Sequence, residues 1–143
     1  MKDRYLLKAK RIDNGEWVQG YLFDDGFENG RIFIGGLVIE KYNGTACDDW
    51  NVTGIDFCEV DPSTICQCTG LKDKNGNLIW ENDIIAYRDC TEEKYVIAWE
   101  LDKACFEYQQ YSCSIMNFDE LSSCEVEVVG NIFDNADLLE SEG

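Results

Sequence analysis

Four Asn-Gly steps, at Asn14-Gly15, Asn29-Gly30, Asn43-Gly44 and Asn75-Gly76, set the strongest limit on what this chain can fold into. Asparagine followed by glycine tolerates the positive φ angles of type I′ turns, whose twist matches that of two antiparallel strands. Each step lies between apolar or alternating segments, so each marks a hairpin. No long amphipathic run separates them, which argues against strand–helix–strand architecture. A single proline, Pro62, interrupts the chain. The expected fold is mainly β, built of short antiparallel strands.

Alternation and turns place the strands. Tyr5–Lys10 and Trp17–Phe23 flank the first Asn-Gly step and should pair. Arg31–Ile34 and Leu37–Lys41 follow, divided by Gly35-Gly36, and Ile55–Val60 leads to the Asp61-Pro62 break. Later strands are expected at Asp83–Arg88, Tyr95–Glu100, Ala104–Gln109 and Glu125–Val129. Period-two spacing puts Tyr95, Ile97 and Trp99 on one face, and Val126 and Val128 inward. Phe118–Leu121 reads as a helical turn and Asp134–Glu140 as a short C-terminal helix capped by Asp134. The seam near Asp61-Pro62-Ser63 divides the chain into an N-terminal β-region, residues 1–62, and a second domain, residues 63–143. Five short, bent strands of this kind suit an SH3-like barrel, which manages its edges by near-closure.

Charge narrows the function classes. The 143 residues carry 29 Asp+Glu against 12 Lys+Arg, a net of −17, with no histidine. Five basic residues (Lys2, Arg4, Lys8, Lys10, Arg11) and one acid (Asp3) make the first twelve positions net +4, so the remainder carries −21. Such a surface repels phosphate backbones and welcomes a basic one. Direct nucleic-acid binding is not expected. Without imidazole, Ser-His and Cys-His dyads cannot form within the chain. No apolar run approaches the ~18–20 residues of a membrane span, and the opening Met-Lys-Asp-Arg-Tyr lacks a signal-peptide core. A cytoplasmic location, with no membrane partner, is expected.

Eight cysteines (Cys47, Cys58, Cys66, Cys68, Cys90, Cys105, Cys113, Cys124) fall short of the density of a small disulfide scaffold, which runs at roughly 8–10% Cys. Structural zinc takes paired knuckles, and the only close pair is Cys66-x-Cys68, whose side chains share a face if the segment is extended. Reduced, mostly buried cysteine is expected, and no metal.

Other constellations point to structure. Asp73-Lys74-Asn75-Gly76-Asn77 begins like a calcium loop, but Leu78 replaces the glycine at the sixth position and Ile84 the glutamate at the twelfth. It reads as a hairpin turn. The acidic pairs Asp24-Asp25, Asp48-Asp49 and Glu92-Glu93 give no sign of two environments, as acid–base catalysis requires. Gly35-Gly36 lacks the helix and lysine of a phosphate loop. Trp17, Trp80 and Trp99 belong to the expected core, and Trp50 in its polar stretch is expected to be exposed. No catalytic, cofactor-binding or metal residue is assigned, and the chain is not expected to be an enzyme.

Three blocks, in order and spanning nearly the whole chain, resemble the YopX family, small proteins encoded by bacteriophages and prophages. They are Gly15–Tyr21; Val60–Thr64 with Gln67–Gly76 and Ile79–Ile85; and Val128–Asn135 with Asp137-Leu138-Leu139. The family usually has an aromatic at the place of Cys68, a glycine at Asn82 and a proline at Ala136. The resemblance implies a β-rich fold with an SH3-type C-terminal part. In it Asp83 would bond backbone groups of the long turn Thr69–Gly76, and Gly130-Asn131 would end the last strand where a side chain would clash. It carries no catalytic residue and no cofactor. The expected function is that of a phage accessory protein acting by protein–protein contact, through its acidic surface, on a host or phage protein with a basic surface. A nucleic-acid mimic and a small-ligand binder or cryptic enzyme are the alternatives. Exposed strand edges make homo-oligomers a further expectation.

Overall fold

Alternating segments paired by backbone hydrogen bonds account for most of the structure. The computed structural model describes residues 2–28, 30–41, 50–87, 90–102, 104–110, 115–117 and 126–140. They form eleven strands, two 3₁₀ turns and one short helix, and every strand pair within the two units below is antiparallel. The chain divides into two compact units, Leu6–Ile65 on the one hand and Met1–Tyr5 with Cys66–Gly143 on the other. No helix among the described residues is long and apolar enough to cross a membrane.

In Leu6–Ile65 the strands β1 (Leu7–Lys10), β2 (Trp17–Asp24), β3 (Ile32–Lys41) and β4 (Trp50–Glu59) lie in the order β4-β3-β2-β1. The β1–β2 hairpin turns at Asn14-Gly15 as expected, but only Gly15 takes a positive φ, of 72°. The turn is thus not type I′. It closes through Gly15 N donating to Arg11 O at 3.0 Å and Arg11 N to Glu16 O at 2.9 Å. Between β2 and β3 the left-handed residue is Gly26 rather than Gly30. Asn29 and the Asn43-Gly44 step lie outside the described residues.

Gly35-Gly36 does not separate two strands. β3 runs through it, and the pair serves packing: a Cβ on Gly35 would sit against the Asp56 carbonyl oxygen and 2.6 Å from Phe57 Cα. After β4 the chain curls back beside β1. Arg11 and Val60 form an isolated antiparallel bridge, Asp61 N donates to Lys10 O at 2.9 Å, and Ile12 N donates to Glu59 O at 3.1 Å. This curl buries Ala9, Ile34 and Val60, with Leu7, Val18, Ile32 and Ile65 packed around them.

The other unit has β5 (Cys66–Lys72) paired with β6 (Leu78–Trp80), then a five-stranded sheet. That sheet holds β7 (Asp83–Tyr87), β8 (Cys90–Glu100), β9 (Cys105–Gln110), β10 (Ile115–Asn117) and β11 (Val126–Asn131) in the order β10-β9-β8-β7-β11. Its core is Ile79, Ile85, Tyr95, Ile97 and Val126, with Phe106 and Val128 against it. Ile84 and Ala86 are buried as well, so β7 is covered on both faces and its sequence shows an apolar run instead of alternation. Trp99, expected inward with Tyr95 and Ile97, is 38% exposed and meets Phe106 edge to face at 4.9 Å. It lies one residue from the end of β8. Among the described residues no sheet closes into a barrel.

The terminal helix α1 spans Asp137–Glu140, three residues later than expected. Asp134 accepts instead from Asn131 Nδ2 at 3.2 Å, within a turn in which Asn131 Oδ1 accepts from the amides of Phe133 and Asp134. The clash expected at Gly130 is present, since a Cβ there would lie 2.6 Å from Asn135 Oδ1. The Phe118–Leu121 segment lies outside the described residues.

Candidate functional site

Carboxylates are the commonest reactive groups in this chain, and the described ones largely hold its own turns. Asp73 is 5% exposed. Its Oδ1 accepts from the amides of Asn75 and Asn77, both at 2.9 Å, and its Oδ2 from the amide of Val128 in β11 at 3.0 Å. Gly76 N donates to Asp73 O and Asp73 N to Asn77 O, with Gly76 at φ 83°, which is a turn closed by a glycine bulge. Burial pushes the Asp73 carboxyl up, but the three amides outweigh it and hold the group below the ordinary carboxylate range. Both oxygens point at backbone donors, so the calcium-like spelling of 73–77 is a hairpin turn.

Asp83 accepts from the backbone at the neighbouring turn. It is buried, and its Oδ2 accepts from Trp80 N at 2.8 Å, across the tight turn between β6 and β7. Within the Thr69–Gly76 turn the Asp73 carboxylate takes the Asn75 amide, while Leu71 N donates to Thr69 Oγ1 at 3.1 Å and Lys74 N to Val126 O at 3.0 Å. Asn82 sits inside the β6–β7 turn at φ 69°, in the left-handed region that glycine enters freely and asparagine tolerates. Asn82 N donates to Ile97 O at 2.7 Å, so the turn survives without glycine.

The pair Asp24-Asp25 closes the β2–β3 turn. Asp24 Oδ1 accepts from Gly26 N, and Asp25 accepts from Phe27 N and Arg31 N, which hold its carboxyl low, Arg31 foremost. Asp61 caps the Pro62–Thr64 turn through the hydroxyl and amide of Ser63, which hold it low likewise. Asp48 and Asp49, and the side chains of Trp50, Glu92 and Glu93, lie outside the described residues.

Cys66 and Cys68 share one buried face of β5, the geometry expected of an extended segment. Cys68 Sγ accepts from Gly70 N at 3.4 Å and Cys66 Sγ from Asn82 Nδ2 at 3.6 Å. Cys58 and Cys105 are free thiols, and among the described residues no three Cys, Asp or Glu side chains cluster to hold a metal ion.

What stands open is apolar. Registers place Tyr21 opposite Gly35 and Gly35 opposite Phe57, Phe23 opposite Phe33, and Leu37 opposite Ile55. Period-two alternation then puts Tyr21, Phe23, Phe33, Leu37, Ile55 and Phe57 on one face of β2–β3–β4. Phe57 meets Phe33 edge to face at 5.2 Å. Yet Tyr21 is 42%, Leu37 57%, Ile55 51% and Phe57 53% exposed. Isolated apolar side chains at a surface are ordinary, whereas these are neighbours on one sheet face. Beside it Trp17 lies under two cations, Lys8 Nζ at 4.8 Å and Lys10 Nζ at 5.5 Å from its ring centre. A hollow of about 530 Å³, lined by Val18, Gly20, Tyr21, Gly36, Asp56 and Phe57 among others, opens along the glycine-bearing strands. The sequence hid this face, because β2 is apolar on both sides and alternation alone does not say which side is covered.

No curated protein matches the chain. The sequence model described as YopX protein matches residues 33–140, three quarters of its length and including β4, the β5–β6 hairpin with its Asp73 turn, and β11. The chain belongs to the YopX family.

Proposed function

We propose that this YopX-family protein is a non-enzymatic docking protein that binds a partner protein with a basic surface. The observation that carries the reading is the open apolar face of β2–β3–β4 on a chain of net charge −17. Apolar area supplies affinity, while the charge speeds encounter with cationic partners and repels anionic ones. The described carboxylates support the same view, because Asp25, Asp61, Asp73 and Asp83 accept from the protein's own backbone. A phage or prophage setting and an SH3-like form for the second unit belong to this reading through the family, and a cytoplasmic location through the sequence pattern. A nucleic-acid mimic would present carboxylates spaced like phosphates, and an exposed aromatic sheet face has no counterpart there. A protein partner is the better fit.

Co-purification from a bacterial host tests the proposal. The expected result is a basic protein retained at about 50 mM salt, with retention falling several-fold by about 300 mM as screening shortens the reach of the charges. Recovery of no partner at either salt would overturn it.

A further inference from the structure

Strand β4 ends the sheet of its unit, and among the described residues it pairs on one side only, with β3. Natural edges are protected by lysine, proline or coverage. Between Trp50 and Glu59 there is no Lys, no Arg and no Pro, and the charged residues are Asp56 and Glu59.

The outer side of this edge has been started already by the protein's own chain. Ile12 N donates to Glu59 O at 3.1 Å, after which residues 12–15 turn away into the β1–β2 hairpin. Glu59 therefore points its backbone groups outward. In an antiparallel pair the two groups of a residue face the same side and alternate along the strand, so those of Phe57 and Ile55 face outward as well. Among the described residues no backbone group pairs with them. Hollows flank Phe57 on either hand. One is the 530 Å³ hollow already described, and the other, of about 310 Å³, is lined by Arg11, Ile12, Asp13, Phe57, Cys58 and Glu59.

We infer that β4 takes up an extended peptide segment of the partner as an added strand, next to Ile55 and Phe57, and that this segment is net cationic with apolar residues at alternate positions. This rests on the docking reading and adds its place and mode. Strand addition draws affinity from main-chain hydrogen bonds and specificity from pockets for alternate side chains, and both are present here. The choice of occupant follows from charge. A second copy of this chain would bring −17 to a chain of −17, whereas a cationic segment meets Asp56 on the strand, beside Glu59, which shares its charge with Arg31 at 3.8 Å, and Arg11, which is paired with Asp13.

The test uses the full-length ¹⁵N-labelled protein and two synthetic ten-residue peptides, one alternating Lys and Val and one alternating Glu and Val. The Lys-Val peptide is expected to shift the amides of Ile55–Phe57 and to slow hydrogen exchange of the Ile55 and Phe57 N–H groups, and the Glu-Val peptide to do neither. Ile55→Pro removes one outward donor without taking a bond from β3, and is expected to weaken Lys-Val binding about tenfold. Exchange protection in the wild-type protein is a readout that does not depend on whether that variant folds. Lys-Val binding that leaves Ile55 and Phe57 unprotected overturns strand addition and leaves acidic docking standing. Absence of Lys-Val binding anywhere overturns both.

Discussion

Replacing Asp73 by alanine is expected to destabilise the second unit by about 3 kcal/mol, read as a lower midpoint in urea denaturation. The amides of Asn75, Asn77 and Val128 all depend on this one carboxylate. Deleting it leaves donors without an acceptor in a place where Asp73 itself is only 5% exposed. Asn75 and Lys74 also reach Glu127, through Nδ2 at 3.1 Å and Nζ at 3.4 Å, but those contacts are exposed and do not replace the lost acceptors. The change also removes the tie to Val128 N in β11, leaving Lys74 N donating to Val126 O at 3.0 Å as the remaining backbone bond between the turn and that strand.

Asp73→Asn is the sharper variant, because it keeps the shape and turns one acceptor into a donor. Its effect should depend on pH with a definite sign. The folded carboxyl titrates below its ordinary value, so the folded state binds fewer protons than the unfolded chain. The stabilisation is fully present above the unfolded value near ~4 and is lost as pH falls through the folded one. The gap between wild type and Asp73→Asn should be wide at neutral pH and narrow as the pH falls below ~4. A gap that does not change with pH would contradict the assigned role.

Gly35→Ala is expected to be nearly as damaging, at about 3 kcal/mol, while Gly36→Ala is close to neutral. The two glycines are neighbours in one strand, but their surroundings differ. At Gly35 a methyl meets the Asp56 carbonyl and the Phe57 backbone, which yield only if β4 moves away from β3. At Gly36 nothing lies within 4 Å, and losing glycine's backbone entropy slightly favours the folded strand. Paired thermal melts of the two variants decide this. Equal losses would mean that the close approach of β4 to β3 is not what fixes Gly35.

This pair also shows where the sequence misleads. Adjacent glycines look like a break between strands, and locally nothing distinguishes that from a strand thinned for a close neighbour. The distinguishing fact, Phe57 pressed against position 35, comes from a partner more than twenty residues away. Hairpins at Asn14-Gly15 and Asn75-Gly76 were legible because glycine alone enters the left-handed region there without strain. β6 and β10, of three residues each, are too short to show alternation. Asp73 was visible as a turn residue, but its bond to Val128 spans 55 positions and left no local trace. The candidate site was the least legible part. Tyr21, Phe23, Leu37, Ile55 and Phe57 read as core residues by type, and only the curl of β1–β4 around Ala9, Ile34 and Val60 leaves them outside.

Hydrogen–deuterium exchange on the full-length protein, alone and with the basic protein recovered from the host, tests the docking account most directly. The account predicts slowed exchange in peptides covering Tyr21–Phe23 and Ile55–Glu59, with the Asp73 turn unchanged. Protection confined to other segments, with those two exchanging as in the free protein, would contradict it.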